Sequence, residues 1–429
     1  MLQELLNFLN RSLTPYHAVE TSLDLLTRSG FVRLREEDDW SLRPEGRYVV
    51  VRGHSSFMAW IMPRQSPAPC PIHLAVAHTD SPCLKPKANA LKIKRGWLVF
   101  DLQVYGGVIL SSWFDRDLSL AGIVYLRHPE GGLRHALVDC RQPLTRIPNL
   151  AIHLNRSLND AYKINPHEEL SAPFLPGDPS EENASNAPLR HLLFHILAPA
   201  HPGLEEADLL DWDLNLYDVN PATQAGSDGQ WLVGSRLDNL LSVWTIVKAL
   251  QEHDPRSAEA IAMGGCFDHE EVGSQSAYGA NGNFAESIVS RLFPQESSRS
   301  RAMARSWLLS LDNAHACHPN YPSLQDEQHC PRLDAGVVLK RHPGLRYATN
   351  ALSAARIKDL AYTEGLPLQE FTVRADMSCG TTVGPVLSAS LGIPGVDLGV
   401  PTWAMHSIRE TAGKRDVLHL QKLLKGFFA

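Results

Sequence analysis

Four short apolar runs punctuate the chain, and each leads into residues able to bind a cation. Residues 72–77 (IHLAVA) read as a buried strand and pass into His78-Thr79-Asp80, with Pro82 closing the element. Residues 260–267 (AIAMGGCF) are followed by Glu270 and Glu271, and residues 307–311 (WLLSL) deliver Asp312. Residues 395–400 (GVDLGV) run into a loop that starts at Pro401 and carries His406. Ligands of open α/β sheets bind beyond the carboxyl ends of the strands, so these ends are predicted to converge in one crevice.

Helical spacing marks other stretches. Residues 1–29 form an amphipathic opening that breaks at Ser29-Gly30. Leu237, Leu240, Leu241, Trp244, Val247 and Leu250 recur at the period of a helix, with Ser235 as the expected N-cap and Asp238 in the first turn. Between about 91 and 233 the character changes to short alternating strands, such as 97–105 and 118–127, separated by glycine-rich turns. Within that stretch, residues 175–188 are rich in Pro, Gly, Ser, Glu and Asn and read as an exposed, disordered loop. From Ser235 onward strands and helices alternate again. The predicted organisation is therefore an α/β domain built from residues 1–90 and 234–429, interrupted by a β-rich insertion over 91–233.

Composition narrows the partners. The chain has 429 residues, 44% hydrophobic and 20% charged, as expected of a globular protein with a large core. A net charge of -7, with no basic block longer than Lys92-Ile93-Lys94-Arg95, argues against nucleic acid. No apolar stretch approaches the roughly 20 residues that cross a bilayer, and residues 1–9 lack the features of a secretory signal. Seven cysteines without CxxC spacing point to reduced thiols and a cytoplasmic location.

The strand-end residues suit a hydrolytic centre of two metals. Such ions sit roughly 3.5–4 Å apart and need a carboxylate that gives one oxygen to each. Asp238 is the expected bridge, with His78 and Asp312 on one ion and Glu271 and His406 on the other. Nitrogen and carboxylate donors without thiolate favour zinc, and cobalt or manganese also fit. Adjacent side chains at a strand end diverge, so one of Glu270 and Glu271 serves as ligand while its neighbour serves as general base; spacing leaves the two interchangeable. Asp80 is placed to hold the imidazole of His78 through its other nitrogen. His315, His318 and His329 lie near Asp312 in sequence and are further possible ligands.

Ordered motifs run through nearly the whole chain: residues 8–19 (FLNRSLTPYHAV), 78–82 (HTDSP), 150–156 (LAIHLNR), 235–239 (SRLDN), 268–274 (DHEEVGS), 312–321 (DNAHACHPNY) and 404–410 (AMHSIRE). In these the sequence resembles the aspartyl aminopeptidases among the co-catalytic zinc metallopeptidases. The resemblance implies removal of N-terminal Asp or Glu from peptides, with His78, Asp238, Glu271, Asp312 and His406 as ligands of two zinc ions and Glu270 as base. It implies a mixed sheet sandwiched by helices, interrupted by a β-rich dimerisation domain, and assembly into a homododecamer. Lys340, ahead of Tyr347, matches the cation that receives an acidic side chain, His315 matches a substrate-contacting position, and His153 matches a residue that reaches a neighbouring subunit's site. The stretch 374–382 departs from the family pattern, with Ala375 before Asp376 and Met377-Ser378 after it. The competing readings are a related two-metal carboxypeptidase or N-acyl amino acid deacylase, and a non-enzymatic assembly protein on the same scaffold.

Overall fold

In the computed structural model, residues 1–64, 69–178, 184–256 and 258–429 are described. The four apolar runs become four neighbouring strands at the centre of a nine-stranded mixed sheet. Their order is Ile261–Phe267, Ile72–His78, Trp307–Leu311 and Gly395–Gly399, and each pair is parallel. Parallel pairing brings the carboxyl ends to one edge, and the register sets Phe267 opposite His78 and Leu311 opposite Leu398. Ser56–Ile61 and Arg47–Arg52 extend the sheet on one side, and Val337–Arg341 and Leu368–Thr372 on the other.

Helices cover both faces, which is why these strands are apolar at successive positions rather than at alternate ones. Along Ile72–His78 the side chains of Ala75 and Ala77 join a core made by the helices Leu2–Arg11, Pro15–Arg28, Leu237–Glu252, Ala351–Thr363 and Lys414–Phe428. Leu74 and Val76 point the other way, into a core with Phe284, Ile288, Val383 and Leu387.

Contacts divide the chain into two compact units: Met1–Ser81, Ala222–Met405 and Glu410–Ala429 form the first, and Pro82–Pro221 with His406–Arg409 the second. The boundaries differ from the expected 91 and 233 because the strand Cys83–Lys94 pairs with Trp97–Tyr105, while Thr223–Ala225 and Trp231–Gly234 join a five-stranded sheet of the first unit. The second unit holds two three-stranded antiparallel sheets around their own core. The loop expected over 175–188 is shorter than read: Leu175 and Pro176 end the strand Ala172–Pro176, Ala187 opens the helix Ala187–Leu197, and residues 179–183 lie outside the described residues. The expectation that every thiol is reduced is corrected at Cys317 and Cys330, whose Cα atoms stand 5.0 Å apart across a disulfide. The intervening loop returns the chain on itself, a proximity that a separation of 13 does not announce.

One glycine of the sheet bears on the strand ends. A Cβ at Gly399 would run into the main-chain carbonyl of Asp312 and crowd the amide of Ala314, neither of which can yield as a flexible side chain does. Gly399→Ala is therefore expected to destabilise the fold by about 1–3 kcal/mol, the usual cost of overpacking, seen as an earlier midpoint in denaturant unfolding.

Candidate metal centre

Three donors come together in the first unit. His78, at the end of its strand, Asp238 and Glu271 each offer a ligand atom, all within 4.8 Å of one another. His78 and Asp238 are buried and Glu271 is half-buried.

Local backbone explains how each is aimed. The expected helical first turn at Asp238 is corrected: Asp238 and Asn239 have non-helical dihedrals and are joined by a cis peptide, and Arg236, not Ser235, stands at the cap with φ 59°. The chain at Asp238 is clamped from both sides. Its N–H donates to Glu410 Oε2 at 2.9 Å, and its carbonyl accepts from Ser81 Oγ at 2.6 Å. Asn239 donates through Nδ2 to the carbonyl of Leu311 at 2.7 Å, tying this segment to the neighbouring strand end. Glu270 and Glu271 open a short 3-10 turn after left-handed His269. Their two N–H groups donate to the two carboxylate oxygens of Asp80, each at 3.1 Å. His78 Nδ1 lies 3.0 Å from the carbonyl of Asp80 and 3.5 Å from its Oδ1, so the main chain of Asp80 is its nearer support. His78 Nε2 is 3.6 Å from Asp238 Oδ1.

The remaining sequence-derived residues are distributed as follows. Asp312 lies outside the three-donor group. Its N–H donates to the carbonyl of Leu398 at 2.9 Å, and its Oδ1 is 3.4 Å from Lys340 Nζ. Lys340 is buried, donates to the carbonyl of Asn313 at 3.1 Å, and lies 5.1 Å from the centre of the Tyr347 ring. His315 is exposed, on the short strand Ala314–His315, with its ring 5.8 Å from that of Phe371. His318 packs against Tyr321 and Trp403, and His329 pairs with Asp326 at 2.8 Å. His406 and His153 belong to the second unit, where His406 Nδ1 is 3.0 Å from the carbonyl of Gly107 and His153 is exposed on a turn. Sequence reasoning assigned no role to Ser81, Asn239 or Glu410. Glu410 is buried at the start of the strand Glu410–Gly413, a burial that shows only in the fold.

Burial raises the carboxyl of Glu270 to about 8; His78 opposes, and Asp312, Glu271 and Asp80 add to the rise. Asp312 is also raised, chiefly by burial. For His78 burial works against the charge, but Asp238, Asp80 and Glu270 lift it well above its ordinary value. Crowded buried acids around an imidazole are the electrostatic signature of a cation site. One nitrogen and carboxylate oxygens, with no thiolate, are a donor set that zinc accepts.

The sign of these shifts sets a pH dependence. Glu270 binds its proton more tightly in the folded chain, so its contribution is complete below its unfolded value of 4.5 and is lost as pH rises through about 8, and the raised Asp312 and His78 act in the same direction. The metal-free protein is expected to melt at progressively lower temperature across that window. Zinc replaces the protons, so the stabilisation on adding it should grow with pH. A melting series with and without chelator checks both slopes.

A mixed sheet with a cluster of metal donors beyond its central strands is the setting of a metalloenzyme, and the comparisons place it. Residues 8–428 match the family described as Aminopeptidase I zinc metalloprotease (M18), and the chain belongs to that family. It is 45% identical over 425 residues to a probable M18 family aminopeptidase 2 of Pseudomonas syringae pv. tomato, covering 99% of this chain and 97% of that one. Among solved structures it is similar to a chain in the cryo-EM structure of the Ape4 and Nbr1 complex, with TM-score 0.94, 34% identity, and coverage of 99% and 85%. It is similar also to the S. cerevisiae mApe1 dodecamer, with TM-score 0.84, 27% identity, and coverage of 99% and 95%. The protein is thus a zinc aminopeptidase of the M18 family, with the family's mixed α/β fold. Among the described residues no helix is long and apolar enough to cross a membrane.

Proposed function

We propose that the protein removes N-terminal residues, preferentially Asp or Glu, from peptides at a two-zinc centre with Glu270 as general base. The observation that carries the reading is the double hydrogen bond of Asp80 to the amides of Glu270 and Glu271, which fixes the turn that brings Glu271 beside His78 and Asp238. Glu271 stands with the other donors, and Glu270 is left adjacent to them with a carboxyl poised near neutrality. In this reading His78, Asp238 and Glu271 would hold the zinc, with Asp312 and His406 as the further ligands that the family resemblance implies. Zinc supplies a Lewis acid and makes water nucleophilic near neutral pH. Glu270 takes a proton from the attacking water and returns it to the leaving amine. Asp80 acts by positioning, through its two amide partners and through His78.

The acidic preference rests on Lys340, a buried cation beside Asp312 and Tyr347. Its pairing with Asp312 favours a second reading of that residue, as a holder of Asp312 rather than a receptor for substrate. Lys340→Met separates the two: a receptor role raises KM for Asp- and Glu-peptides and spares Leu-peptides, whereas a holding role weakens zinc binding and slows all of them.

Release of Asp, Glu, Leu and Ala from otherwise identical free-amine peptides, with zinc-loaded and chelated enzyme, tests the whole proposal. Metal-dependent release, fastest for Asp or Glu and absent for N-acetylated peptides, is the expected result. Faster release of Leu would discard the acidic preference, and turnover of only the acetylated peptides would move the assignment to a deacylase. Likeness to the S. cerevisiae mApe1 dodecamer supports self-association, and the assembly proposed is a homododecamer in which His153 reaches a neighbouring subunit's site. Sedimentation as a stable monomer would sink that part.

A further inference from the structure

The helix Ala187–Leu197 of the second unit turns Leu189, Leu193 and Leu197 into the core and leaves His191 and His195 exposed. A separation of four residues puts the two rings on one face, one turn apart. They meet edge-on with centroids 4.2 Å apart, and their Nε2 atoms are 2.9 Å from each other. Two nitrogens on one tetrahedral zinc, each about 2.0–2.1 Å from it, stand about 3.3 Å apart, so the pair needs to open by only a few tenths of an ångström to share an ion.

A third residue orients the pair. His191 Nδ1 lies 3.1 Å from Glu206 Oε2, and the turn Glu206–Asp208 is held in place by reciprocal side-chain bonds of Glu205 and Asp208. A carboxylate on Nδ1 keeps the proton there and leaves the Nε2 lone pair facing His195, the arrangement that supports histidine ligands in metal sites. With the proton of His195 also on Nδ1, both Nε2 lone pairs are free, and a small rotation of the two rings turns them toward one ion.

We propose that His191 and His195 bind a late first-row divalent cation, such as zinc, copper or nickel, with Glu206 positioning His191 and water completing the coordination. Two imidazoles select these metals over calcium and magnesium, which prefer oxygen. The bound ion would clamp one turn of the helix and, through Glu206, the turn beside it.

Untagged full-length protein, zinc-loaded and then desalted, provides the test. Calorimetric titration with zinc chloride should show one additional ion per subunit beyond those retained, and titration with calcium none. His191→Ala and His195→Ala should abolish the additional ion, and Glu206→Gln should weaken it by about 10-fold or more. Peptide hydrolysis should be unchanged in all three variants. Uptake of no additional zinc by the wild type, or equal uptake by the two alanine variants, would overturn the site. Full affinity in the glutamine variant would remove Glu206 from it.

Discussion

Glu270→Gln is expected to lower kcat by about 10²–10⁴-fold, the usual contribution of a general base, while zinc content and KM stay close to wild type. Glutamine keeps the size of the side chain and leaves the main-chain bond to Asp80 Oδ1 in place, so the turn carrying both glutamates persists. What it loses is the ability to hold a proton and give it back. Zinc remains because the three clustered donors are His78, Asp238 and Glu271, without Glu270. The companion Glu271→Gln should behave the other way, losing zinc first and activity as a consequence. Metal analysis and steady-state kinetics on both variants resolve which carboxylate is base and which is ligand; a Glu270→Gln enzyme with near-normal kcat would remove Glu270 from the chemistry.

Asp238→Ala should abolish both zinc retention and turnover. The expected weakening exceeds the roughly 10–100-fold that follows loss of a residue merely supporting a ligand. Asp238 is buried, its main chain is fixed by Glu410 and Ser81, and its carboxylate faces His78 at 3.6 Å. Asp80 does not take its place, since both of its carboxylate oxygens accept from the amides of Glu270 and Glu271. The same substitution relieves Asp312 of one like charge. The metal-free variant should therefore still fold, as judged by circular dichroism, and this separates loss of metal from loss of structure. Zinc binding equal to wild type would overturn the bridging role.

Much of the scaffold was legible along the chain because both of its signals are local. Continuous apolar runs at 72–77, 260–267, 307–311 and 395–400 marked strands buried on both faces, and the polar residues that follow marked where those strands stop. Periodicity of 3.6 over Leu237 to Leu250 identified the helix Leu237–Glu252 that packs beneath them. Other features were hidden. The backbone at Asp238 departs from the helix that its apolar spacing predicts, because bonds from Glu410, 172 residues away, and Ser81, 157 away, hold the chain there. The disulfide between Cys317 and Cys330 likewise depends on a loop closing on itself.

By itself the sequence determined which residues could bind a cation, which segments were buried strands and helices, and, through its ordered motifs, the family. Only the tertiary structure decided which strands are neighbours, that Asp80 serves the amides of both glutamates, that Lys340 lies 3.4 Å from Asp312, and that His406 belongs to the second unit. The physical reason is range. Period and burial are written into successive residues, whereas parallel pairing and buried hydrogen bonds join segments up to hundreds of residues apart, and their partners are chosen by the packing of the whole chain.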